Sequence, residues 1–240
     1  MKWKFPQHAP RCGALAARDR NSTRPGPRRA WLRGLLTSLV VAGLAGAFNP
    51  THAAAPRNLL VLGDSLSAGY GLPRDSGWVR HLSDRLTQSG FDYNVVNASI
   101  SGETTSGGRT RLPALLRQHA PAIVLIELGA NDGLRGLDLQ AMEDNLGAMI
   151  AASQKAGAKV LLVGMQLPPN YGRTYTERFK AVYPALAKRF RVALAEFLLR
   201  GLESTDKWFQ ADRIHPTVAA QPILLDNVWP RLQPLLGKSR

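Results

Sequence analysis

Two segments far apart in the chain carry the residue types that a nucleophilic hydrolase needs. Asp64 and Ser65 follow a run of apolar residues, and Asp212 precedes His215 by three positions. A serine hydroxyl becomes a nucleophile when a histidine takes its proton, and a carboxylate can orient that histidine. Each segment by itself is more often a helix start, because Asp and Ser are favoured N-cap residues. The hydrolase interpretation therefore requires that the fold bring both segments together.

Two further loops could supply hydrogen-bond donors to an oxyanion. Gly102 lies in the sequence NASISG and Asn131 in the sequence GANDG. A glycine lets a substrate oxygen approach a backbone N–H group, and an Asn side chain donates without carrying a charge. The Asn-Asp-Gly sequence is also typical of an ordinary turn. It would be a coincidence if four unrelated turns all carried residues that acyl transfer needs. We therefore favour the interpretation that the four loops form one site.

The elements between these loops predict an α/β fold. Apolar runs typical of buried strands alternate with segments that have helical periodicity. The strands are expected at residues 59–62, 93–97, 123–128, 160–163 and 192–194, and the helices at 76–89, 104–119, 139–156, 176–190 and 222–236. This order predicts a three-layer α/β/α sandwich around a five-stranded parallel sheet, with Pro230 interrupting the last helix. The carboxyl ends of such strands share one edge, where ligands bind.

The first 53 residues are predicted to be a signal peptide with a basic leader. They hold nine of the 31 Lys and Arg residues and one of the 17 acids, and so account for +8 of the net charge of +14. Arg28, Arg29 and Arg33 precede an apolar stretch at 34–48, and a small-x-small cleavage pattern ends at Ala53. The stretch is short for a membrane span. We expect cleavage near Ala53 and a single hydrolase domain over residues 54–240.

Export places the mature protein in the periplasm or outside the cell. The Arg28-Arg29 pair also fits a twin-arginine signal, although the Sec route is favoured because arginine pairs are common in basic leaders. With the leader removed the basic excess is small, and no basic stripe with interleaved aromatic residues remains, so no nucleic-acid partner is expected. The one cysteine, Cys12, lies in the leader, so the predicted domain has no thiol nucleophile and no disulfide.

The motifs carry a resemblance to a known family. The sequences GDSL at 63–66, NASISGETT at 97–105, GAND at 129–132 and DRIHP at 212–216 resemble the four blocks of the SGNH, or GDSL, hydrolases. The resemblance implies a flavodoxin-like sheet and assigns the catalytic triad and the oxyanion donors. The implied triad is Ser65, Asp212 and His215, and the implied oxyanion hole is formed by Ser65, Gly102 and Asn131. Ala130 departs from the family pattern, which usually has glycine there, and its methyl group could crowd the oxyanion loop.

The expected substrate is a small acyl ester or thioester, hydrolysed through an acyl-enzyme intermediate. Apolar residues in the loops after the third and fourth strands are candidates for binding the acyl chain, although packing over the sheet edge explains them equally well. These candidates are Leu134, Leu167, Pro168 and Tyr171. No metal and no organic cofactor are expected. We expect a monomer that contacts lipid transiently.

Two other functions fit part of the pattern. An SGNH esterase that removes O-acetyl groups from carbohydrate would use the same triad but prefer acetyl esters. A noncatalytic lipid-binding module could keep the fold, but it would have no need for Ser65, Asp212 and His215 together. The choice of acyl chain length and leaving group does not follow from the residues.

Overall fold

The computed structural model describes residues 56–202 and 206–237. The predicted signal peptide and its cleavage position lie outside the described residues, and so does Cys12. Within the described part, none of the helices combines the length and apolar character needed to cross a bilayer.

Five parallel strands form one sheet, as the sequence predicts. The strands are β1 (Arg57–Gly63), β2 (Tyr93–Asn97), β3 (Ile123–Glu127), β4 (Lys159–Val163) and β5 (Ala193–Ala195). Their spatial order is β2-β1-β3-β4-β5. The chain passes from β1 to β2 in one direction along the sheet and from β3 to β4 and β5 in the other, so the topological switch point, where such sheets bind ligands, lies between the carboxyl ends of β1 and β3. The register pairs Gly63 with Glu127 at this point.

Helices cover both faces of the sheet and complete the predicted α/β/α sandwich. They are α1 (Ser65–Ala68), α2 (Trp78–Gln88), α3 (Thr105–His119), α4 (Ala130–Leu134), α5 (Leu139–Lys155), α6 (Arg173–Phe190) and α7 (Gln221–Leu232). Helices α2 and α7 pack on each other over one face, and α5 packs between α3 and α6 over the other. The three-layer fold is confirmed.

The central strands are apolar because both of their faces are covered. Every residue of β3 is buried, and the buried part of β1 runs from Leu59 to Gly63. Strands covered on both faces favour continuous Leu, Ile and Val runs over an alternating pattern. Helices need only one apolar stripe, and α2 buries Trp78, Val79, Leu82 and Leu86 with the spacing of one helical face.

Two expectations about local structure are wrong. Helix α7 continues through Pro230, which lies near its C-terminal end, so the proline removes only one late hydrogen bond while Val228 and Leu232 stay fully buried. The segment around Asn131, interpreted from the sequence as a turn, forms the short helix α4, because five residues are too few to show helical periodicity. The short helix α1 carries Ser65 and begins at the helix start that Asp64 and Ser65 predict.

Candidate active site

Ser65 is the first residue of α1, directly after β1. Asp64 caps this helix, since its Oδ1 atom accepts the Leu66 N–H at 3.0 Å. The helix-start interpretation of this segment is therefore right as far as local structure goes. It does not compete with the chemical one, because the same cap holds the Ser65 turn at the carboxyl edge of the sheet.

The loop that carries His215 is held by backbone pairing across its base. Gln210 N–H donates to the carbonyl of His215 at 2.8 Å, and Thr217 N–H donates to the carbonyl of Trp208 at 2.8 Å. The Gln210 side chain also donates to the carbonyl of Tyr70 at 2.9 Å. The loop is thus fastened both to itself and to the segment that follows Ser65.

The fold brings Ser65, His215 and Asp212 into one hydrogen-bonded series. His215 Nε2 lies 2.8 Å from Ser65 Oγ, and His215 Nδ1 lies 2.6 Å from Asp212 Oδ2. Asp212 Oδ1 accepts the backbone N–H groups of His215 at 3.0 Å and Ile214 at 2.9 Å. The backbone hydrogen bond from His215 contributes most to lowering the pKa of Asp212 to about 2. Asp212 is therefore ionised at neutral pH and can hold the imidazole in one orientation.

Asn131 connects the other predicted donors to this series. Its Nδ2 atom donates to Asp64 Oδ2 at 3.0 Å and to the carbonyl of Glu103 at 3.0 Å. Asp64 precedes Ser65 and Glu103 follows Gly102, so the three loops named from the sequence meet at this amide. Gly102 has a φ of +79°, a conformation that glycine adopts without strain.

Gly129 is the glycine that this loop requires. Its φ is +117°, and a Cβ atom there would lie 2.4 Å from the hydroxyl of Tyr183. Ala130 has an ordinary helical position at the start of α4 and is partly buried against the core. The fold therefore accommodates the methyl group of Ala130, where the family pattern usually has glycine. The position at which this loop requires glycine is residue 129.

The loops expected to bind the acyl chain meet each other. The Tyr171 hydroxyl donates to the carbonyl of Leu134 at 3.0 Å. Tyr171 and Pro168 are exposed, and Leu134 is half-buried. Leu167 is buried in the core and offers the least surface of the four residues to a ligand. Packing over the sheet edge thus explains Leu167, while the other three remain available.

Four residues of this region were not identified from the sequence. Glu127 is a fully buried carboxyl group behind the Ser65 turn, and burial raises its pKa well above the usual range. The Tyr70 ring lies 4.5 Å from the imidazole of His215, centroid to centroid. Gln210 ties the histidine loop to Tyr70, and Arg135 reaches the carbonyl of Gly102. Of these four residues, only Glu127 could have been noticed in the sequence, because an acidic residue inside an apolar strand is unusual.

In residues 56–202 and 206–237, no three His, Cys, Asp or Glu side chains are grouped so as to hold a metal ion.

A serine, a histidine and a carboxylate in series at the carboxyl edge of a parallel α/β/α sandwich define a serine hydrolase. The chain belongs to the GDSL-like Lipase/Acylhydrolase family, whose model matches residues 61–222. It is an enzyme that hydrolyses acyl esters.

Relatives of known name share most of the described chain. Esterase TesA of Pseudomonas aeruginosa is 51% identical over 201 residues, which is 84% of this chain and 100% of that protein. Thioesterase 1/protease 1/lysophospholipase L1 of Escherichia coli K12 is 47% identical over 186 residues, 78% of this chain and 88% of that protein. An arylesterase of Vibrio mimicus is 46% identical over 174 residues, 72% of this chain and 87% of that protein.

Solved structures agree with these relatives. The crystal structure of TesA matches with a TM-score of 0.74 at 54% identity, covering 75% of this chain and 100% of that chain. The psychrotrophic esterase EstA from Pseudoalteromonas sp. matches with a TM-score of 0.71 at 40% identity, covering 74% of this chain and 97% of that chain.

Proposed function

We propose that this protein hydrolyses acyl esters and thioesters through an acyl-enzyme intermediate on Ser65. The observation that carries the proposal is the 2.8 Å contact between Ser65 Oγ and His215 Nε2, with Asp212 bonded to the opposite ring nitrogen. In this geometry His215 can accept the serine proton while the hydroxyl oxygen attacks.

The reaction proceeds in two halves. Ser65 Oγ attacks the acyl carbonyl and transfers its proton to His215 Nε2, giving a tetrahedral oxyanion. When the oxyanion collapses, the bond to the leaving group breaks and His215 protonates the departing alcohol or thiol. Water then attacks the acyl-serine with His215 as base, and the acid and free Ser65 are released. Asp212 stabilises the imidazolium in both halves without taking the proton.

Stabilisation of the oxyanion is assigned to Asn131 and to the backbone N–H groups of Ser65 and Gly102. Among the described residues, neither backbone group has an acceptor. Both hydrogens of the Asn131 amide are held by Asp64 and Glu103. The amide is therefore oriented before substrate arrives, and an oxyanion must share or replace one of these acceptors. Preorganised donors of this kind contribute about 3 kcal/mol each to the transition state.

We propose that lysophospholipids, acyl-CoA thioesters and aryl esters are the substrate classes. Relatives are named thioesterase, lysophospholipase and arylesterase. The apolar side chains of Leu134, Pro168 and Tyr171, which follow β3 and β4, offer an acyl chain a surface to contact.

The test is hydrolysis by the purified protein of nitrophenyl esters from acetyl to palmitoyl and of palmitoyl-CoA. Turnover of medium and long chains that vanishes in Ser65→Ala is the expected result. Turnover restricted to acetyl esters would instead indicate a carbohydrate O-acetyl esterase. Activity that survives in Ser65→Ala would overturn the assignment of the nucleophile, and binding without turnover would indicate a lipid-binding module.

We also propose export to the periplasm or beyond after cleavage near Ala53, and action as a monomer in transient contact with lipid. The basic, apolar and small-residue parts of residues 1–53 support the export. Cell fractionation with N-terminal sequencing of the product is the check, and an intact N-terminus in the cytoplasm would contradict it. Export that is unchanged in an Arg28→Lys, Arg29→Lys variant would exclude the twin-arginine route.

Size-exclusion chromatography of the purified protein tests the proposal that it is a monomer.

A further inference from the structure

Arg135 joins the two loops that carry proposed oxyanion donors. It follows α4 directly, and its side chain is exposed. The Arg135 Nη2 atom donates to the carbonyl of Gly102 at 3.0 Å and lies 3.4 Å from Asn131 Oδ1. A single guanidinium nitrogen thus spans from the loop after β2 to the helix after β3.

These contacts complete the set that orients the Asn131 side chain. Asp64 and Glu103 accept from its Nδ2 atom, and Arg135 donates to its Oδ1 atom. In the described part of the chain, no other donor reaches that oxygen. Without Arg135, the amide would be fixed from the nitrogen side alone.

The positive charge of Arg135, like its position, favours hydrogen bonding by Asn131 to an oxyanion. A guanidinium group is always protonated, and no carboxylate of the described residues pairs with this one. A cation on the oxygen of an amide polarises the group and makes its N–H a stronger donor. The positive charge also lies next to the loops where negative charge develops in the tetrahedral intermediate.

We propose that Arg135 is a positioning residue for the oxyanion hole, acting through Asn131 and the Gly102 loop. The proposal rests on the function proposed above. It predicts that Arg135 contributes to the rate of the chemical step and little to substrate binding, because its contacts are to the donors and to the backbone. Lysine would keep the positive charge, but its flexible stem and strongly hydrated ammonium group would hold the two oxygens less firmly.

The first test compares Arg135→Ala with Arg109→Ala on a soluble ester, nitrophenyl butyrate. Arg109 is a matched control, because it is an exposed arginine that donates to an asparagine side-chain oxygen, that of Asn145, at 3.1 Å and has no hydrogen bond to Gly102 or Asn131. We expect kcat to fall about tenfold in Arg135→Ala with KM within about twofold, the size of one charged hydrogen bond. Arg135→Lys should recover part of the loss, and millimolar methylguanidinium should restore activity to Arg135→Ala but not change Arg109→Ala.

The second test asks whether Arg135 acts through Asn131. In a double-mutant cycle, removing Arg135 should cost much less in an Asn131→Ala background than in the wild type. A wild-type kcat in Arg135→Ala, an equal loss in Arg109→Ala, or losses that multiply in the double variant would each overturn the proposal. Failure of the underlying function is seen separately, as ester hydrolysis that survives in Ser65→Ala.

Discussion

The Ser67 hydroxyl donates a 2.7 Å hydrogen bond to Oε2 of Glu127, a carboxyl group with no exposed surface directly behind the Ser65 turn. The same oxygen lies 3.4 Å from the Asp64 N–H, and the other carboxyl oxygen, Oε1, has no partner among the described residues. No cation compensates this carboxyl group in that part of the chain. Burial therefore favours its neutral form and raises its pKa well above the usual range.

This burial makes the stability of the protein depend on pH through Glu127. The unfolded chain releases the Glu127 proton near the ordinary pKa of 4.5, whereas the folded chain keeps it to higher pH. The contribution of Glu127 to stability is fully present below its pKa in the unfolded chain. It is lost as the pH rises through its pKa in the folded chain. We expect Glu127→Gln to gain stability relative to the wild type by about 1.4 kcal/mol per pH unit above pH 5, until the folded carboxyl ionises.

Urea unfolding at a series of pH values measures this difference. Glu196→Gln is the control, because Glu196 is exposed and pairs with Arg200 on the surface. A Glu127→Gln difference that stays constant with pH would show that the buried carboxyl ionises normally in the folded protein.

Adding a methyl group at Gly129 should cost much more stability than removing the methyl group of its neighbour Ala130. Gly129→Ala places a Cβ atom 2.4 Å from the Tyr183 hydroxyl in a backbone conformation of φ +117°. We expect this variant to lose about 3 kcal/mol in free energy of unfolding. Ala130→Gly should lose no more than about 1 kcal/mol, the usual cost of glycine in a helix.

Denaturant unfolding compares the two variants, and Gly129→Ala in a Tyr183→Phe background separates the clash from the backbone strain. Partial recovery is expected, because the hydroxyl is removed while the positive φ remains. Equal losses in Gly129→Ala and Ala130→Gly would contradict the assignment of the requirement to residue 129.

Asp212→Asn should leave the fold intact and reduce the rate of hydrolysis. The asparagine keeps one carbonyl oxygen for the backbone donors but cannot stabilise an imidazolium or hold the same tautomer. We expect kcat to fall by roughly 10³- to 10⁴-fold at neutral pH. Asp226→Asn is the control, since Asp226 is an exposed carboxylate that pairs with Arg85 at 2.7 Å. A fall of less than tenfold would mean that Asp212 does not orient His215 during turnover.

The Tyr70 ring should matter for activity, and its hydroxyl should not. The ring lies 4.5 Å from the imidazole of His215 at an interplanar angle of 42°, and about half of the residue is exposed. Removing such a contact costs about 1 kcal/mol, which predicts about a fivefold fall in kcat/KM for Tyr70→Ala. Tyr70→Phe should remain near the wild type. A loss in Tyr70→Phe as large as that in Tyr70→Ala would assign the effect to the hydroxyl group.

The sequence predicts every strand and long helix of the described chain to within a few residues. Strand β3 is apolar throughout because both of its faces are covered, and that run is visible without any knowledge of its neighbours. Helix α2 shows its buried stripe in the same direct way. The prediction for α7 is wrong at Pro230, because a local rule about proline is weaker than the burial of Val228 and Leu232 on either side.

By itself, the sequence determined the α/β class, the five strands and the loops in which Ser65, Gly102, Asn131 and His215 lie. These properties depend on periodicity and turn chemistry among neighbours in the chain. Only the tertiary structure decided that Ser65 meets His215 across 150 positions, that Glu127 is buried behind the Ser65 turn, and that Arg135 bridges two loops. Those relationships depend on the strand order β2-β1-β3-β4-β5, because the order of the strands sets the distances between the loops that follow them. The spacing of residues along the chain does not encode that order.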